Sequence, residues 1–366
     1  MSAISHHSLS HLNSTVSKRL MPTYSDPVVR IAVLDTGFDG SHPDFSHPRT
    51  AYFTGPFSDL PQPEKDEEPQ LTRIKAYHDF CQPSPPGDRQ GPPPQPHSMV
   101  DLAGHGTAIA GLILRLAPRA ELVIGRVCHG VDSNELSAPD PSRVAAAIRW
   151  AITQKVHIIN LSLGYRNQPL KELLPLRAAL LEAQRSNILV FASTSNQGSH
   201  EPAAWPASDA RFAIGVHSCN DMGSAPSGSS CKASENGYNF MAVGENLLVH
   251  RLAQKGGGFE LVSGSSFATP VVVSVAALVL AFVWQEECKR ERDEVGREVM
   301  LEDLGSLGGM GRVLMALGEK TAGSYWAVGM KLFWAGYREG DGRDPEKEEK
   351  EARRWAWGVL RGAVAY

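Results

Sequence analysis

The chain has 366 residues and a mass of 39.6 kDa, enough to bury a large core as one α/β domain with a terminal addition. A net charge of -4 and a pI near 6.4 argue against nucleic acid as a partner, and no polybasic face suggests an anionic membrane. The five cysteines (Cys81, Cys128, Cys219, Cys231, Cys288) are odd in number, scattered, and free of CxxC or zinc spacing. Such a set reads as reduced thiols in an intracellular protein.

Residues 1–27 are polar and rich in Ser and His, and read as an ill-ordered tail. His6, His7 and His11 fit a solvated tail better than a metal site. The first 30 residues lack an apolar stretch of signal-peptide length, so an intracellular and cytoplasmic location is expected. A folded domain is predicted over 28–285. Its first strand, Ile31-Ala32-Val33-Leu34, runs into Asp35-Thr36-Gly37 and delivers Asp35 to a crevice at the strand's carboxyl end. Residues 54–98 form an insertion with an acidic run at 64–68 and a Pro-rich run at 82–97. One strand is predicted near Tyr77-His78-Asp79-Phe80 and a surface loop elsewhere. In Asp101-Leu102-Ala103-Gly104-His105-Gly106-Thr107, His105 stands at the head of a helix ending near Ala117-Pro118.

From residue 120 strands and helices alternate. Strands are predicted at 121–127, 156–163, 188–191, 212–216 and 240–243, with helices at 142–154 and 169–185. This pattern predicts a parallel sheet with helices on both faces and active residues at the strands' carboxyl ends. Ser263-Gly264-Ser265-Ser266 then turns into the apolar run 271–284. That run is shorter than the roughly 20 residues needed to span a bilayer, so it reads as a buried helix and no membrane association is expected. Residues 286–366 change composition and read as a short helical extension. Four of the chain's seven tryptophans lie there (Trp326, Trp334, Trp355, Trp357), to be packed on the domain or on a missing neighbouring domain.

Taken singly, Ser266 is an N-cap, Asp35 a turn residue and His105 a cap or core histidine. Together, in the order Asp, His, Ser, they spell a nucleophilic triad: a hydroxyl, a base to take its proton, and a carboxylate to orient the base. The three segments resemble those of the subtilisin-like serine proteases (subtilases), over roughly residues 28–284. They match the family's Asp-Thr-Gly, His-Gly-Thr-x-x-Ala-Gly and Gly-Ser-Ser-x-Ala-x-Pro patterns, and the chain order is that of subtilisin.

The resemblance implies a serine endopeptidase acting on polypeptides through an acyl-enzyme, with Asp35, His105 and Ser266 catalytic. It implies Asn196 as an oxyanion-hole donor, Ser162-Leu163-Gly164 as the edge on which substrate is laid out, and Trp205 near the primary specificity pocket. No cofactor or metal is expected; calcium occurs in many subtilases, but none of its ligands can be matched here. His42 and His129 read as loop or core histidines. The chain departs from the family at Ser195, where glycine is usual, at Ala108, where histidine is frequent, and in leaving no room for an inhibitory propeptide before Asp35. Two other readings therefore stay open: a protease-fold module that binds a peptide or partner with little turnover, and an esterase-like hydrolase using the same triad.

Overall fold

Strand β1 (Arg30–Asp35) is buried at five of its six positions, as a parallel strand covered on both faces must be. Ile31 and Val33 enter one core layer, and Ala32 and Leu34 the other, following the two-residue alternation of a strand. In this computed structural model the described residues are 28–47, 68–82, 98–130, 138–220, 226–284, 302–329 and 345–364. The tail 1–27, most of the insertion 54–98 with its Pro-rich run, and Cys288 lie outside them.

β1 is flanked by β3 (Glu121–Arg126) and β4 (Ile158–Leu161), all parallel, and β2 (Ile74–Asp79) pairs outside β3. On the other side follow β5 (Leu189–Ser193), β6 (Ile214–Cys219) and β7 (Phe240–Val243). The chain leaves β1 for the β2 edge, returns to β3, then crosses over β1 to β4. This reversal opens a crevice at the carboxyl ends of β1 and β4, where α/β sheets bind ligands.

Helices cover both faces, as the sequence alternation predicts. One face carries α1 (His105–Leu116) and α4 (Ser265–Trp284); the other carries α2 (Pro141–Thr153) and α3 (Leu170–Arg185). α2 starts where Asp140 accepts a bond from the Ser142 N–H at 3.2 Å and Pro141 takes the first helical position. α4 is apolar all round, with 16 of its 20 residues buried. Its Val, Leu and Phe side chains each contribute about 1.5–3 kcal/mol of transfer free energy. By length and composition it would pass for a membrane span, but 83% of its most apolar stretch is inside the protein. The helix begins six residues ahead of the run seen in the sequence, so the Ser266 turn is part of it.

Beyond 286 the structure differs from the helical expectation. α5 (Leu307–Leu317) and α6 (Pro345–Val364) are present, but between them β10 (Gly318–Lys320) and β11 (Trp326–Val328) add to the sheet. β11 runs parallel to β7, with Trp326 opposite Phe240, and antiparallel β10 completes nine strands. Three-residue strands carry no periodic signal; backbone pairing, of β11 to β7 and of β10 to β11, makes them. Met310, Val313, Leu314 and Leu360 share the core layer of α4, and the Trp357 ring lies 6.2 Å from that of Phe282. Trp355 stays 49% exposed. A further hairpin, β8 (Leu247–His250) with β9 (Phe259–Val262), lies against α1; no sequence feature announced it.

Candidate active site

Asp35 ends β1 and is buried, and its Oδ1 accepts the Thr36 N–H at 2.8 Å. The same oxygen lies 2.7 Å from His105 Nδ1. An ionised carboxylate only accepts, so Nδ1 carries the proton and Nε2 of the neutral ring is free to act as a base. The His105 side chain keeps 13% of its surface exposed, enough to be reached from the crevice. Burial pulls its pKa down, but the Asp35 charge and hydrogen bond, with the Asp101 charge behind them, outweigh burial and leave it raised above the ordinary 6.5.

His105 opens α1 from Gly104, which sits at φ 95° and offers no side-chain cap. Asp101 does the capping instead. Its Oδ1 accepts from Ala103 N (3.0 Å), Gly104 N (2.8 Å) and Thr36 Oγ1 (2.9 Å), and its Oδ2 from Thr107 N (2.9 Å) and Thr107 Oγ1 (2.6 Å). Thr36 Oγ1 also accepts the Gly106 N–H at 2.8 Å. The two motifs touch so closely that a Cβ on Gly106 would lie 2.3 Å from the Gly37 carbonyl oxygen. Sequence reading assigned Asp101, Thr36 and Thr107 no role.

Ser266 lies in the first turn of α4, partly exposed. Its Oγ donates to the Ser162 carbonyl at 3.4 Å, and the Ser162 hydroxyl donates to the Ser266 carbonyl at 2.7 Å. In this rotamer the hydroxyl bonds to Ser162 rather than to His105. The next residue, Phe267, places its ring 5.2 Å from the imidazole, so α4 and His105 meet at this turn. Catalytic hydrogen bonds often tighten only when substrate is bound.

Asn196 is exposed, and its Oδ1 accepts the Ser265 N–H at 2.7 Å, leaving Nδ2 as the donor. Gly264, at φ 146°, must lack a side chain here, since its Cβ would meet Asn196 Nδ2 at 2.8 Å. Ser195 sits at φ 92°, a conformation that favours glycine and costs an L-residue roughly 1–2 kcal/mol.

One pocket is lined by Asp35, Cys128, Ala138, Pro139 and the segment Ser162-Leu163-Gly164. It brings the predicted substrate edge beside the Asp35 carboxylate. Cys128, read from the sequence only as a reduced thiol, joins it; burial and then the Asp35 charge push its thiol pKa up, so it is a neutral lining group and not a rival nucleophile. Trp205 exchanges backbone hydrogen bonds with Tyr165 (2.7 and 2.9 Å), directly after Gly164. His42 Nε2 lies 3.1 Å from the Gly258 carbonyl and His129 Nδ1 3.2 Å from the Arg126 guanidinium. Among the described residues no three His, Cys, Asp or Glu side chains converge on a point where a metal would bind.

The profile of the subtilase family matches residues 27–295. The chain belongs to the subtilase family. It is 28% identical to an intracellular serine protease of Paenibacillus polymyxa, over 69% of this chain and 66% of that protein. It is 27% identical to subtilisin E of Bacillus subtilis, over 74% of this chain and 61% of the relative. The match thus spans somewhat less than two thirds of these relatives. Among solved structures, the prenylagaramide maturation protease PagA aligns with TM-score 0.56 at 22% identity, covering 95% of this chain and 98% of its own. The patellamide maturation protease PatA aligns at 0.51 and 22%, covering 92% and 98%. The parallel sheet expected from the alternation of strands and helices, and the subtilisin-like fold that the motif resemblance implies, are both observed.

Proposed function

We propose that this subtilase is a serine endopeptidase that hydrolyses peptide bonds through an acyl-enzyme. The supporting observation is the 2.7 Å contact of Asp35 with His105 Nδ1, which leaves Nε2 basic beside the α4 turn that carries Ser266. In this mechanism Ser266 Oγ attacks the scissile carbonyl as Nε2 takes its proton. The imidazolium, steadied by Asp35, then protonates the leaving amine, and water repeats the cycle to release the acid. The Asn196 Nδ2 and the Ser266 backbone N–H donate to the tetrahedral oxyanion, helped by the positive end of α4. The substrate strand lies along Ser162-Leu163-Gly164, with one side chain entering the pocket between that segment and Cys128 and Pro139. The scattered free thiols and the likeness to intracellular serine proteases of Paenibacillus polymyxa and Bacillus subtilis support action inside the cell.

Ser266→Ala tests the reading. Labelling by a fluorophosphonate probe should vanish, and peptide hydrolysis should fall by about a millionfold, with the fold unchanged by circular dichroism. Labelling that persists on another serine would overturn it. Asn196→Leu removes the side-chain donor at similar volume, and kcat should drop about 10²–10³-fold with KM nearly constant; parental kcat would remove Asn196 from the mechanism.

A further inference from the structure

Asp101 is a buried carboxylate at 4% exposure, and the proposed reaction gives it nothing to do. Its partners come from two places only. Thr36 belongs to the turn that carries Asp35, while Ala103 and Gly104 lead into the His105 helix and Thr107 lies in its first turn. Thr36 Oγ1 closes the loop by accepting the Gly106 N–H, and Thr107 Oγ1 accepts the Asp39 N–H at 2.9 Å. Five donors satisfy both oxygens and fix this carboxylate in place. A capping role for α1 alone would need the three helix N–H groups. The Thr36 hydroxyl adds a crossing to the other motif.

We infer that Asp101 is a positioning residue of this site, locking the Asp35 turn and the His105 helix into one register and adding a second negative charge behind the imidazole. The inference rests on the triad reading above. The charged or titratable groups around His105 are Asp35 in front, Asp101 behind, and Lys255, whose ammonium donates to the Ala103 carbonyl at 3.3 Å. The Cys128 thiol, beside Asp35, is neutral. Both carboxylates favour the imidazolium that forms as Ser266 attacks.

The test is Asp101→Asn, which keeps the volume but turns one acceptor oxygen into an N–H donor facing N–H groups. With a peptide substrate, kcat should fall about tenfold to hundredfold, the scale on which small misplacements of reacting groups act, with KM little changed. The acid limb of fluorophosphonate labelling should move to lower pH, because a charge favouring protonated His105 is gone. A folded Asp101→Asn protein with parental kcat and acid limb overturns the inference. So does a kcat loss with the acid limb unmoved, since that marks a fold effect. If this variant does not fold, Thr36→Val removes the crossing hydroxyl alone: a several-fold loss of kcat at parental Tm supports the inference, and parental kcat overturns it. Ser266→Ala measured in parallel separates the levels. If it retains activity, the triad reading falls and the Asp101 role with it; if it is dead while Asp101→Asn is normal, only the Asp101 role falls.

Discussion

Two carboxylate–imidazole pairs flank helix α1, and they behave in opposite ways. At the helix's start, His105 Nδ1 meets Asp35 at 2.7 Å; near its middle, His250 Nε2 meets Asp44 at 2.6 Å. The first imidazole is raised in pKa, whereas burial, ahead of its bond to Asp44, leaves the second lowered. The contact is almost the same, so the surroundings decide. His105 has Asp101 as a second carboxylate and an opening to the crevice. His250 and Asp44 are 2% and 1% exposed, and the Arg115 charge lies near them. His250 is therefore a neutral ring donating to a carboxylate, packed so tightly on α1 that a Cβ on Gly111 would lie 2.2 Å from its Nδ1. A contact between Asp and His makes neither a base nor a triad by itself; a nearby hydroxyl and reachable solvent do.

Breaking the two pairs should give different kinds of damage. Asp35→Asn should lower kcat about 10⁴-fold with little loss of stability, because the neutral amide favours the wrong His105 tautomer. Progress curves on a peptide substrate read this directly; a loss of only a few-fold would return Asp35 to the role of a turn residue. Asp44→Asn should do the reverse. Losing a buried hydrogen bond to a charged group costs about 1.5–3 kcal/mol, and Tm should fall by roughly 3–10 °C, with parental turnover per folded molecule. A large kcat loss in this variant would show that the second pair reaches the chemistry.

The pairs also separate on a pH axis. His105 must be neutral to act, and its pKa is raised, so the acid limb of kcat/KM should have its midpoint above 6.5. Stability should fail in the same direction but at lower pH. His157 and His217 are lowered to about 4, and His250 is lowered too. In each case the unfolded ring binds protons before the folded one does. Stability from these rings is complete above about 6.5 and is lost as pH falls toward 4. Thermal melts from pH 7 to 4, read beside activity over the same range, should show activity failing first; coincident losses would mean that unfolding sets the acid limb.

This contrast marks what the sequence could tell. Asp35, His105 and Ser266 were legible because each sits in a short motif whose small residues serve close approach, as Gly106 does against Gly37. The parallel sheet was legible because its buried strands read as apolar runs separated by amphipathic helices. The Asp44–His250 pair was not, since its members are 206 positions apart and each resembles an ordinary loop or strand residue. Asp101 was quoted within its motif, yet nothing in the order of residues shows that one carboxylate takes five donors from two segments. β8, β9, β10 and β11 escaped notice for another reason: at three or four residues they owe their form to the strands they meet.

The late position of α5 and α6 has a consequence for how the molecule is made. Synthesis delivers Asp35, His105 and Ser266 before residue 302, but the α4 surface around Phe282 is covered only when Trp357, Leu360 and the α5 residues Met310 and Leu314 arrive. Until then the helix that carries Ser266 has an apolar flank facing water, and β7 has no β11 on its outer edge. A nascent chain paused between α4 and α5 thus offers chaperones a sticky surface. The candidate site and its support reach the cell in that order, Ser266 first and cover last.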